Sequence, residues 1–114
     1  MTKQRPMHPL EHHPAFRAAI AAAPPLALLA SRLPAPELVS TLAIACSDLA
    51  DGFAAPPDSR RRIQAHQRAW VAVREIDRVI ANTRRRKLVP PELLARAQHA
   101  IDRADVLIGA LLPS

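Results

Sequence analysis

Residues 58–87 read DSRRRIQAHQRAWVAVREIDRVIANTRRRK, and the fold turns on them. Ile63, His66, Trp70, Val73, Ile76 or Asp77, and Ile80 recur at three- and four-residue spacing, with Ala69, Ala72 and Val79 widening the stripe. That is the period of a helix with one buried face. No proline or glycine interrupts the run. Asp58 or Ser59, directly after Pro56-Pro57, is placed to cap its start. The pattern predicts one long helix reaching about Thr83, with residues 84–89 as a basic connection to whatever follows.

On the C-terminal side, Pro90-Pro91-Glu92 opens a further helix. Proline is tolerated in a first turn, and an acid there meets the positive end of the dipole. Its stripe is Leu94, Ala97, Ile101, Ala104, Ile108 and Leu111. On the N-terminal side, Leu33-Pro-Ala-Pro-Glu37 gives the same start signal for a helix over 36–51. Leu38, Leu42, Ala45 and Leu49 form its stripe, Val39 and Cys46 lie beside it, and Gly52 is expected to stop it. Before that, residues 15–23 and 26–32 read as one helix broken by Pro24-Pro25. Residues 1–14 carry three prolines and three histidines with no hydrophobic period. They are expected to be a flexible tail, leaving 15–114 as the domain. The expected fold is all-α: an antiparallel four-helix bundle with a proline-broken first helix.

Composition points the same way. A chain of 114 residues has room for one core, and tyrosine is absent, leaving too few aromatic and β-branched residues for a sheet. Cys46 is the only cysteine, so neither an intrachain disulfide nor a thiolate cluster is open to it. The longest apolar stretch, 18–30, is alanine-rich and split by two prolines, which argues against a membrane span. The N-terminus lacks the leucine-rich core of a signal peptide. A cytoplasmic protein is expected.

The positive charge is local. The chain carries sixteen Lys and Arg against ten acids, a net charge of +6. Residues 58–87 hold ten of those cations (Arg60, Arg61, Arg62, Arg68, Arg74, Arg78, Arg84, Arg85, Arg86 and Lys87) and three acids (Asp58, Glu75 and Asp77), a net of +7. The rest of the chain is therefore at −1. Arginines at a helix C-terminus meet the negative end of its dipole. Three at the N-terminus oppose it, at roughly 0.3–1 kcal/mol each. A phosphate-bearing partner is the simple reason to keep them there, and these ten cations are the candidate nucleic-acid-binding residues. The plainer alternative is a solvated arginine-rich face. Trp70 is the only aromatic residue among them, so contacts to backbone phosphate are expected rather than base stacking.

Catalytic patterns are weak. His8, His12 and His13 lie in the expected tail, which offers no ordered metal site. His66 and His99 read as packed or interfacial residues, Cys46 as a structural thiol, and Ser47-Asp48 has no histidine at triad spacing. There is no glycine-rich phosphate loop. No enzyme activity, cofactor or metal is expected.

Three stretches carry a resemblance: 42–53 (LAIACSDLADGF), 69–80 (AWVAVREIDRVI), and 88–94 (LVPPELL) feeding 101–112. They resemble the four-helix-bundle family that holds the accessory variability determinant (Avd) of diversity-generating retroelements and the proteins encoded in ribosomal RNA intervening sequences. The resemblance covers about residues 26–112. The first helix departs from it, being rich in alanine and proline. The resemblance implies a barrel-shaped homopentamer of four-helix protomers. For the Avd branch it implies a basic, non-catalytic protein that binds RNA or DNA and associates with the retroelement reverse transcriptase during mutagenic copying. For the intervening-sequence branch it implies a structural oligomer or protein adaptor.

Overall fold

The computed structural model describes residues 9–33 and 35–113. After a 3-10 turn at Pro9–His12 come α1 (Pro14–Ala21), α2 (Ala23–Ser31), α3 (Glu37–Ala54), α4 (Arg60–Arg86) and α5 (Pro91–Gly109). There is no strand among the described residues. Helices α1 and α2 are two arms of one helix bent by 26°. The bend has a local cause. Pro24 and Pro25 have no N–H to donate, and the ladder resumes only at Leu26, whose N–H reaches the Ala22 carbonyl at 3.1 Å. The prolines therefore interrupt the helix at the expected place, as a bend between two arms.

Helix α3 packs along α4, α4 along α5, and the bent helix closes the cycle against both α5 and α3. Neighbours run in opposite directions. The start of α4 meets the end of α3 through Arg62 and Gly52, and Arg68 meets Asp48 one or two turns further in. Trp70 near the start of α4 meets Asp105 near the end of α5, while Asp77 pairs with Gln98. His13 at the head of α1 lies on Phe53 at the foot of α3.

One core runs through the cycle. Its largest fully buried side chains are Leu26, Leu29, Leu38, Leu49, Val73, Ile76, Ile80, Ile101 and Ile108. The expected stripes of α3, α4 and α5 supply most of it. Burying each such side chain contributes about 1.5–3 kcal/mol before chain entropy is subtracted. Alanines 45, 69, 97 and 104 are fully buried between the larger residues, which lets the helix axes approach closely.

Four expectations are corrected. Helix α4 does not end at Thr83; it runs through Arg86, so the second arginine cluster is its last turn rather than a connection. Helix α3 does not stop at Gly52 but continues to Ala54, with Gly52 buried inside it. Leu111 lies past the end of α5 and is exposed. Within the expected tail, residues 1–8 lie outside the described residues, but Pro9–His12 is turned, Pro14 already begins α1, and His13 is stacked on α3.

Candidate nucleic-acid interface

Helix α4 positions every candidate cation but Lys87, which follows it directly. Its 27 residues make a rod of about 40 Å at 1.5 Å per residue. Ser59 opens it, its hydroxyl accepting the Arg62 N–H at 3.1 Å. Lys87 closes it in a left-handed conformation, φ 55° and ψ 44°. The buried face runs through Ala65, Ala69, Ala72, Ile76, Ile80 and Thr83. Arg60, Arg78 and Arg85, spaced by nearly whole turns, line up on the opposite face. Arg74 lies beside that line. Arg61, Arg68 and Arg86 tilt toward α3, and Arg84 toward α5. All nine of these cations, counting Lys87, are exposed.

Their partners differ. Arg68 pairs with Asp48 at 3.3 Å and Arg78 with Glu75 at 2.9 Å, both arginines being well over half exposed. Such surface pairs contribute at most about 1 kcal/mol, so a phosphate can compete for either cation. Arg74 lies over the Trp70 ring, 5.0 Å from its centroid, and Trp70 donates its indole N–H to Asp105 at 2.6 Å. Trp70 is thus engaged at one ring face by Arg74 and at its N–H edge by Asp105. Arg84 and Arg85 donate to the neutral side chains of Gln98 (3.2 Å) and Asn82 (3.3 Å). Arg60, Arg61, Arg86 and Lys87 make no ion pair among the described residues.

Arg62 stands apart. Its Nε donates to the Gly52 carbonyl at 2.9 Å, and one terminal nitrogen donates to the carbonyls of Phe53 and Ala55, each at 2.9 Å. The Gly52 carbonyl also accepts the Ala55 N–H at 3.1 Å, while those of Phe53 and Ala55 lie where the end of α3 leaves carbonyls without helical partners. Helix α3 has no basic residue in its own last turn, and Arg62 reaches across the connection to cap it. The first arginine cluster therefore divides: Arg62 belongs to the fold, while Arg60 and Arg61 face solvent. Helical periodicity could not reveal this, because the contact joins two elements. The available signal was an α3 terminus with neither a cap nor a cation of its own.

Behind Arg62 lies an aromatic cluster. The His13 ring stacks on Phe53 at 3.7 Å and 8°, Phe53 meets His66 at 4.7 Å and 60°, and the Arg62 guanidinium is 5.8 Å from the Phe53 centroid. His66 is buried, and its Nε2 has no hydrogen-bond partner. Burial, then the Arg62 charge, then His13 hold its pKa below the usual histidine value, opposed by a hydrogen bond to the Leu49 backbone. His13 is lowered too, by desolvation, then Arg62, then His12. The ring of His66 lies hard against Gly52, where any Cβ would collide with it.

The remaining candidates do not converge. His99 is exposed on α5, and Cys46 is half-buried on α3, where burial raises its thiol pKa and weakens it as a nucleophile. No cluster of three His, Cys, Asp or Glu side chains suited to a metal occurs among the described residues. Residues Pro14–Ser31 have the length and mean hydropathy (1.3) of a membrane span, and a third of that stretch is buried within the bundle. The chain matches no protein-family model, no curated protein and no solved structure.

Proposed function

We propose that this protein is a non-catalytic, nucleic-acid-binding accessory protein whose outer α4 face and C-terminal arginine turn hold backbone phosphates. One observation carries the reading: a helix of about 40 Å and the Lys87 that follows it present nine exposed cations, and only Arg68 and Arg78 are ion-paired to acids among the described residues. A line of cations on a rigid rod suits a regular polyanion, and few aromatic groups accompany it to read bases. The sequence resemblance supports extending this reading to the Avd branch: an oligomer, pentameric by that resemblance, serving a reverse transcriptase and its template RNA or cDNA in the cytoplasm. No cofactor or metal enters the proposal.

The test is fluorescence polarisation with labelled RNA and DNA across a salt series. Affinity should fall steeply with salt, and the R84A/R85A/R86A variant should bind more weakly with a shallower slope. Binding that is undetectable at low salt, or unaffected by the triple substitution, defeats the reading.

A second reading rests on different residues. Ile44 and Val71, 56% and 65% exposed, line one depression between α3 and α4, and Val106 is 69% exposed on α5; such exposed apolar residues suit contact with protein. In that reading the chain is a structural oligomer or adaptor of the intervening-sequence type, and its arginines pair with acids of neighbouring protomers. Neutralising Arg60, Arg61, Arg85 and Arg86 would then lower the oligomer mass in light scattering.

A further inference from the structure

Three chain ends meet at one corner of the bundle: the head of α1 at His13, the foot of α3 at Gly52–Ala55, and the first turns of α4 at Arg62 and His66. We propose that this corner is a proton-operated latch, in which neutral His66 holds α3, α4 and the N-terminal segment together and protonated His66 releases the N-terminal segment.

The geometry carries the argument. His66 is 2% exposed, and its Nε2 has no acceptor within reach. The other side of its ring system is engaged with the Leu49 backbone, so an added proton arrives at the unpartnered nitrogen. That nitrogen is pressed against the Gly52 backbone, so closely that a Cβ there would collide with it. Burying a charge with no acceptor is strongly unfavourable.

The surroundings add to the effect. From α4, Arg62 supplies a permanent positive charge, fixed in place by its three carbonyls. From the head of α1 comes His13, which becomes a cation in acid and whose own pKa is lowered by burial, then Arg62. Helix α3 contributes only backbone and the Phe53 ring at this point. On the α5 side the carboxylate of Asp105, one turn further along α4, is held by Trp70. The charges that weigh on His66 are those of Arg62 and His13, and both oppose its protonation. The segment before α1 meets α3 at this corner through the stacking of His13 on Phe53, whereas α3 and α4 are joined along their whole length. The latch does not depend on the nucleic-acid reading.

The experiment follows histidine ring signals and backbone amide exchange by NMR on the full chain between pH 7.5 and 5. The expected result is a His66 midpoint below the ordinary histidine value of about 6.5. Amides of residues 10–18 and 53–62 should lose at least tenfold protection with the His66 midpoint, while those of Ile76 and Ile101 keep theirs. His66→Gln should remove the protection step at the His66 midpoint whatever the baseline protection. Protection that ignores pH, fades evenly along the chain, or follows a midpoint other than that of His66 overturns the latch; the wild-type measurement decides this even if the variant fails to fold.

Discussion

Arg60-Arg61-Arg62 and Arg84-Arg85-Arg86 are the same tripeptide at opposite ends of α4. At the C-terminal end all three side chains are exposed, they agree with the helix dipole, and their nearest partners are neutral amides or solvent. At the N-terminal end the dipole is adverse, and one arginine of the three turns inward to cap another helix. Identical residues thus do different physical work because of what lies across from them. The end of α3 lies beside the first triplet and needs hydrogen-bond donors; nothing comparable lies beside the second.

The sharpest way to break this comparison is to remove Arg62. Arg62→Ala leaves the Gly52, Phe53 and Ala55 carbonyls without their charged donor. It should lower unfolding stability by about 1.5–3 kcal/mol in urea titration, with Arg62→Lys restoring only part because lysine lacks the planar fork. If Arg62→Ala is no worse than Arg60→Ala, the two ends are equivalent after all. Next comes Gly52→Ala. A methyl group there runs into the buried His66 ring, and overpacking of this kind costs about 1–3 kcal/mol, whereas in an ordinary exposed helix the same change would stabilise.

Acid should distinguish the ends as well. The folded-state pKa values of His66 and His13 lie below their unfolded values. Their contribution to stability is therefore full above the unfolded value of about 6.5 and is lost as the pH falls below it. Denaturation midpoints at pH 7.5 and 5.5 should differ in wild type and converge in a His13→Gln, His66→Gln double variant. The smallest stability effect is expected at the other end: R84A/R85A/R86A should stay within about 0.5 kcal/mol of wild type. Its weight falls on binding, where removing three phosphate contacts should flatten the salt slope by about 2–3.

Much of the fold could be read from residue spacing. The stripes 38–49, 63–80 and 94–108 became the buried faces of α3, α4 and α5, because core packing follows the helical period directly. The ends of elements were less legible. Gly52 looked like a stop signal, yet a helix carries through a glycine when its last carbonyls find donors elsewhere, and Arg62 is 9–10 residues further along the chain. Arginine favours helix, so α4 continued past Thr83 until Lys87 turned left-handed. At the candidate interface, the location of the charge was plain in the sequence. Which arginine was already engaged was not, since that depends on a neighbouring helix end brought close by folding.

Lys87 carries one more consequence. It closes α4 in a backbone conformation that glycine adopts freely and that disfavours a residue with a Cβ by about 1 kcal/mol. Lys87→Gly should therefore give a firmer protein, by about 0.5–1 kcal/mol in thermal or urea denaturation, while removing one cation from the arginine-rich turn. Engineering for robustness and engineering for grip on a polyanion pull in opposite directions at this single residue.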